Sequence, residues 1–149
     1  MSSRRRWLVA VAASGPGGML LVAWMVHFSV LGATLTDRKL ERAVASLRAR
    51  GLAAGYHPGI ALPVRDRPLT TDGTVDLLKT ADGRLIVLFK HTREWKGNYH
   101  GTIYSDAPIR PGEIGNDYYG RPAFRLQGLD SVIEKKAHNR RFEVFFDLG

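Results

Sequence analysis

The sequence predicts a mainly β protein with an N-terminal transmembrane helix, in which a basic stalk helix precedes a small antiparallel β barrel or sandwich. Three observations lead to this fold class. Residues 7–35 contain no Asp, Glu, Lys or Arg. Residues 36–51 carry apolar side chains at helical spacing. From residue 69 onward, short apolar runs alternate with turn residues, which is typical of an all-β domain of about 80 residues.

The distribution of charge points to a membrane. Of the net charge of +8, residues 4–6 contribute +3, residues 36–50 contribute +3 and residues 51–149 only +2. Six excess charges therefore flank the apolar window, where anionic headgroups would lie. We expect the lipid bilayer as a partner and no nucleic acid, because a nucleic-acid-binding protein concentrates its basic residues on the folded domain. The absence of cysteine excludes disulfides, thiolate zinc sites and cysteine nucleophiles.

The N-terminal segment is interpreted as a retained anchor. The start "SRRRWLV" resembles a twin-arginine export signal, which implies removal of the segment, with Leu31-Gly32-Ala33 as the better-placed cleavage site. As a helix, however, residues 7–35 would measure about 44 Å, with a kink near Pro16, and the hydrocarbon core is roughly 30 Å thick. We predict a single-pass transmembrane segment, and cleavage stays open.

The orientation of this segment rests on two opposing observations. Three Lys or Arg residues precede it and five follow within 15 residues, which favours a cytoplasmic C-terminus. The arginines at the very start form a tight cluster, and a C-terminal part of this length can translocate regardless of its charge. We predict a cytoplasmic N-terminus and an extracytoplasmic C-terminal domain.

His27 lies at the midpoint of residues 19–35, where an ionisable side chain is a functional candidate. We predict that it packs against a neighbouring helix together with Ser29 and Gly32. Ala23 stands four residues earlier, and this Ala-x-x-x-His spacing resembles that of light-harvesting polypeptides. The resemblance implies that His27 is an axial ligand of bacteriochlorophyll, and the same axial role could serve haem. We predict no cofactor and keep this ligation as the alternative.

Two segments connect the membrane to the β-domain. Residues 36–51 are predicted to form a basic stalk that continues the membrane helix; alternatively they form an amphipathic helix lying on lipid or on a partner. Residues 52–68 contain three prolines and two glycines and are predicted to be a linker. Its apolar side chains are expected to dock on the domain as an irregular edge; they are Ile60, Leu62 and Val64.

Residues 69–149 predict about six short antiparallel strands. The continuous apolar run "RLIVLF" indicates a central strand covered on both faces. A two-residue turn at Lys96-Gly97 would pair Trp95 with Asn98 and Arg93 with His100. One face of this hairpin would then bind an anion, a sugar or a metal, or simply be solvated; its residues are His91, Arg93, Trp95, Asn98, His100 and Thr102. No metal is predicted, since two histidines lack a defined third ligand.

The long loop 106–122 is the second predicted interaction surface. Its aromatic and charged side chains are Glu113, Asp117, Tyr118, Tyr119 and Arg121. In the alternative interpretation, one tyrosine covers the core, the other is exposed and Asp117 caps a turn. Glu113 and Asp117 could also form an acid–base pair.

The sequence therefore favours a membrane-anchored accessory subunit that presents a β-domain for protein or ligand interaction. The alternative is a membrane-tethered or exported hydrolase-like enzyme that uses His91 or His100 with the loop carboxylates. The sequence contains none of the G-x-S-x-G, H-E-x-x-H or P-loop motifs, so we do not predict an enzyme.

Overall fold

A computed structural model describes residues 37–93, 98–138 and 140–146 of the chain. The predicted transmembrane segment, with His27, Ala23, Ser29 and Gly32, lies outside these residues, and so do Trp95 and the turn at Lys96-Gly97. Within the described ranges, no helix is long and apolar enough to cross a bilayer.

One helix and eight strands make up the described part of the chain. Helix α1 spans residues 37–48. The first four strands are β1 Gly55–Ala61, β2 Thr74–Lys79, β3 Leu85–Arg93 and β4 Tyr99–Ser105. The others are β5 Ile114–Asn116, β6 Pro122–Phe124, β7 Ser131–His138 and β8 Arg141–Phe146. Two 3-10 turns lie at Val64–Leu69 and Pro111–Glu113.

All eight strands belong to one antiparallel sheet, in the order β1-β2-β3-β4-β8-β7-β6-β5. The mainly β prediction is confirmed. The sheet is open, with β1 and β5 as its edges, so the expected closure into a barrel is wrong. The expectation of about six strands missed β1 and the short strand β5.

Strand β3 is buried on both faces, as the run "RLIVLF" predicted. Leu85, Val87 and Phe89 point to the helix-side core, and Ile86 and Leu88 point to the inner core on the other face. The helix-side core also receives side chains from α1, β2 and β4. The inner core is completed mainly by β4, β6, β8 and the β6–β7 connection; these residues are Ile103, Phe124, Leu126, Leu129, Phe142, Val144 and Phe146.

Helix α1 packs on the sheet instead of forming a separate stalk. Its apolar stripe is buried in the helix-side core; the stripe is Leu40, Ala43, Val44 and Leu47. Each buried leucine contributes about 1.5–3 kcal/mol relative to exposure. Polar contacts also hold the helix in place: Arg42 Nε donates to the fully buried Asp66 at 3.0 Å, and the Tyr104 hydroxyl donates to Glu41 at 3.2 Å. The apolar stripe that suggested lipid or a partner is covered by the domain itself.

The predicted linker contains edge strand β1. Its pairing with β2 shifts between His57 and Ile60, so the expectation of an irregular edge is confirmed. Leu62 is buried and Ile60 packs against the helix-side core, whereas Val64 is 75% exposed and does not dock.

The sheet curls so that β1 meets the β6–β7 connection without pairing. Tyr56 of β1 packs against the inner core and lies directly over Gly128. A Cβ atom at Gly128 would stand 2.5 Å from a Tyr56 ring carbon, and Gly128 has a φ of +75°. Glycine at position 128 therefore allows the close approach of the Tyr56 ring. Burial of Tyr56, together with the neighbouring Asp76 carboxylate, raises its pKa to about 12.

Substitution of Gly128 tests this closure. We expect Gly128→Ala to lower the free energy of unfolding by about 2–5 kcal/mol, because it combines a left-handed backbone penalty with overpacking. Gly120→Ala is the matched control, since Gly120 has a φ of +78° and nothing within 4 Å of its Cβ position. It should cost only about 1–2 kcal/mol in chemical unfolding. Equal losses in the two variants would contradict the role of the Tyr56 contact.

Candidate functional site

The register of the β3–β4 hairpin differs from the prediction. Tyr99 lies opposite Arg93, and His100 lies opposite Thr92. The predicted pairing of Arg93 with His100 is therefore wrong by one residue. A bulge between Lys90 and Thr92 adds a residue to β3, so the pairing shifts once more between Thr92–His100 and Lys90–Gly101.

His91, the residue within the bulge, begins a chain of polar contacts across three strands. Its Nε2 atom lies 2.6 Å from the Thr102 hydroxyl, which donates to Glu143 at 2.8 Å. Burial lowers the pKa of His91, although the Glu143 carboxylate acts in the opposite direction. Thr102 is only 4% exposed, so its hydroxyl is enclosed between its two partners. This arrangement ties β3, β4 and β8 together and offers no accessible nucleophile.

His100 has a separate carboxylate partner on the outer surface of the sheet. Its Nδ1 atom lies 2.8 Å from Glu134 Oε2, and its ring is 5.1 Å from that of Phe145. The side chains of His100 and Glu134 are 38% and 43% exposed. Glu134 and Glu143 were not predicted as site residues, because they lie 34 and 41 residues from their partners.

Glu113 forms an ion pair with the buried Arg84. Its carboxylate accepts from both terminal guanidinium nitrogens of Arg84, one of them at 2.8 Å, and Arg84 is only 5% exposed. It also accepts from the Arg110 amide at 2.8 Å. Burial raises the pKa of Glu113, but the hydrogen bonds from Arg84 and Arg110 outweigh it and lower the pKa overall. Glu113 therefore stays charged near neutral pH and fastens the loop before β5 to the start of β3.

Asp117 caps the turn between β5 and β6, as the alternative interpretation expected. Its carboxylate accepts from the Tyr119 amide at 2.9 Å, the Arg121 amide at 2.7 Å and Arg121 Nε at 2.6 Å. Desolvation acts to raise the pKa of Asp117, but these hydrogen bonds lower it overall. The acid–base pair of Glu113 and Asp117 is not favoured, since each carboxylate is engaged by arginine.

The turn carries two adjacent exposed tyrosines. Tyr118 is 94% exposed and Tyr119 is 77% exposed, so the expectation that one of them covers the core is wrong. Their rings meet edge to face at 5.3 Å, and the Arg121 guanidinium lies 5.3 Å from the centre of the Tyr119 ring. We call residues 117–121 the tyrosine tip. An open cleft of about 220 Å³ beside it is lined by residues that include Arg125, Asp130 and Val132.

The predicted site residues thus separate into four groups: the His91 chain, the His100–Glu134 pair, the Glu113–Arg84 ion pair and the tyrosine tip. Within the part of the chain that the structure describes, no cluster of three or more His, Asp or Glu side chains is arranged to hold a metal. Comparison of the chain with protein-family models, with curated proteins and with solved structures found no match.

The lowered pKa of His91 makes stability depend on pH. The unfolded chain protonates this ring near its ordinary pKa of 6.5, whereas the folded chain does so only at lower pH. The contribution of neutral His91 is therefore present above about pH 6.5 and lost as pH falls. We expect the free energy of unfolding to fall less steeply in His91→Gln than in the wild type between about pH 7 and pH 5. Parallel curves from chemical unfolding would contradict this.

Proposed function

We propose that the protein is a single-pass membrane-anchored accessory subunit whose β-domain presents the tyrosine tip to a protein partner. The charge-free residues 7–35 and their basic flanks support the anchor. The observation that carries the interaction role is the pair of exposed tyrosines, Tyr118 and Tyr119, on a turn braced by Asp117. Isolated exposed apolar residues are ordinary, but two adjacent aromatic rings on a fixed turn form a compact contact surface.

The composition of the tip suits protein recognition. Tyrosine and arginine are enriched at protein interfaces, and tyrosine supplies a large contact area with few rotatable bonds. Asp117 fixes the backbone of the turn through two amides, and Arg121 braces the Tyr119 ring. A partner would therefore meet a preorganised surface, which reduces the entropy lost on binding.

The anchor is tested by the intact mass of the full chain purified from native membranes. We expect the mass of residues 1–149 or 2–149, and we expect the protein to resist extraction at alkaline pH, as a spanning helix does. A mass that begins near Thr34 would contradict the anchor and indicate a removed export signal.

The contact surface is tested by the double substitution Tyr118→Ala/Tyr119→Ala in the full chain. We expect a stoichiometric partner that co-purifies from native membranes to be reduced about tenfold or more, which corresponds to at least about 1.4 kcal/mol. Val64→Ala, which changes another exposed apolar side chain, should leave the partner in place. Stability should change by no more than about 0.5 kcal/mol in either variant. A partner retained by the double variant would contradict the assigned surface.

A further inference from the structure

We infer that the partner contributes an extended acidic segment that lies along the free edge of β5, beside the tyrosine tip. This inference rests on the proposed function and names the kind of partner that the tip receives. It depends on three features of the β5–β6 hairpin. Its edge strand contains neither proline nor a register shift, and two of its backbone groups are directed away from the sheet. One of its described arginines lies outside any ion pair.

The two edges of the sheet differ in how they are protected. Edge strand β1 contains Pro58, which has no amide hydrogen, and a register shift between His57 and Ile60. The Gly59 amide is also occupied, since it donates to Asp76 at 2.9 Å. Proline and irregular pairing are the usual means of preventing strand addition at an edge. Edge strand β5 is short but contains neither feature.

The hydrogen bonds of the hairpin show which backbone groups of β5 are available to an added strand. The Glu113 carbonyl accepts from the Arg125 amide, and the Asp117 amide donates to the Arg121 carbonyl, so the odd-numbered residues pair with β6. Ile114 and Asn116 direct their backbone groups to the free edge. The Ile114 amide donates to the Pro111 carbonyl, and the Asn116 carbonyl accepts from Arg125. Within the described part of the chain, the Ile114 carbonyl and the Asn116 amide are therefore left for a partner.

These two groups suit an added strand that runs parallel to β5. A carbonyl at one residue and an amide two residues later bond to the amide and carbonyl of a single residue on a parallel neighbour. Such a segment would continue from this position towards the tip. Two hydrogen bonds alone give modest affinity, so contact with the tyrosine rings has to supply the remainder.

The positive charge of Arg125 favours an acidic partner segment. The Arg125 side chain lies along β5, since a Cβ atom on Gly115 would stand 3.2 Å from its Cγ. Its guanidinium bonds to a carbonyl, whereas Arg121 pairs with Asp117. Arg125 is thus the one described cation of this hairpin outside an ion pair. Asp130 also lines the cleft, so we place the incoming carboxylate over Arg125 on the β5 side.

The test uses nine-residue peptide libraries with one fixed position, either Asp or Lys, bound to the full chain in detergent micelles. We expect the Asp-fixed library to bind about tenfold more strongly than the Lys-fixed library. Asn116→Pro removes the edge amide and should abolish binding, whereas Asn116→Ala keeps the amide and should retain it. Arg125→Gln should remove the preference for Asp.

Other outcomes would overturn the inference: equal or absent binding of the two libraries, or undiminished binding by folded Asn116→Pro. Self-association of the full chain that Asn116→Pro abolishes would indicate a second copy at the edge and would also overturn it. If Asn116→Pro does not fold, backbone N-methylated peptides replace it. Their loss of binding supports strand addition, and unchanged binding overturns it.

The native partner separates this inference from the proposed function. If the tip double variant loses the partner but folded Asn116→Pro retains it, the tip is the contact surface and strand addition is wrong. If both variants retain the partner, the proposed contact surface and the inference fail together.

Discussion

Strand β3 is apolar on both faces, and the rest of the fold follows from the need to cover each of them. Neither face can be left to water, because five consecutive residues from Leu85 to Phe89 are almost completely buried. Helix α1 covers one face through Leu40 and Leu47. The other face is covered when the sheet curls and brings the β6–β7 connection over it, with Tyr56 against Gly128. The open sheet thus achieves the two-sided burial that a closed barrel or sandwich would give.

Much of this arrangement could be predicted from local pattern, and the errors have identifiable causes. The central strand and the helix followed from periodicity, which reports the local conformation and the face to be buried. The pattern did not show what covers the helix, since an apolar stripe fits a membrane, a partner or the chain's own sheet equally well. The bulge at His91 was not predicted, because one added residue leaves the composition of both strands unchanged. The partners Glu134 and Glu143 depend on strand order, which local sequence does not encode.

Buried polar residues position the segments that hydrophobic packing leaves undefined. Asp76, on the inner face of β2, accepts from the Gly59 amide and pairs with Lys90 at 2.8 Å, so it joins β1, β2 and β3. Asp66 holds the 3-10 turn after β1 against helix α1 through Arg42. Each carboxylate is satisfied by specific donors, and removal of one donor would leave a costly buried charge. These contacts specify positions more than they add stability.

The Arg84–Glu113 ion pair has the same positioning role at the edge of the sheet. Arg84 immediately precedes β3, and Glu113 immediately precedes β5, so the pair connects the central buried strand to an edge strand. Because β5 is only three residues long, its own ladder to β6 would fix its direction poorly. The ion pair and the Glu113 bond to the Arg110 amide hold the start of the hairpin, and Asp117 holds its turn. The exposed tyrosines therefore stand on a support whose rigidity derives from the core, which is the condition a preorganised contact surface requires.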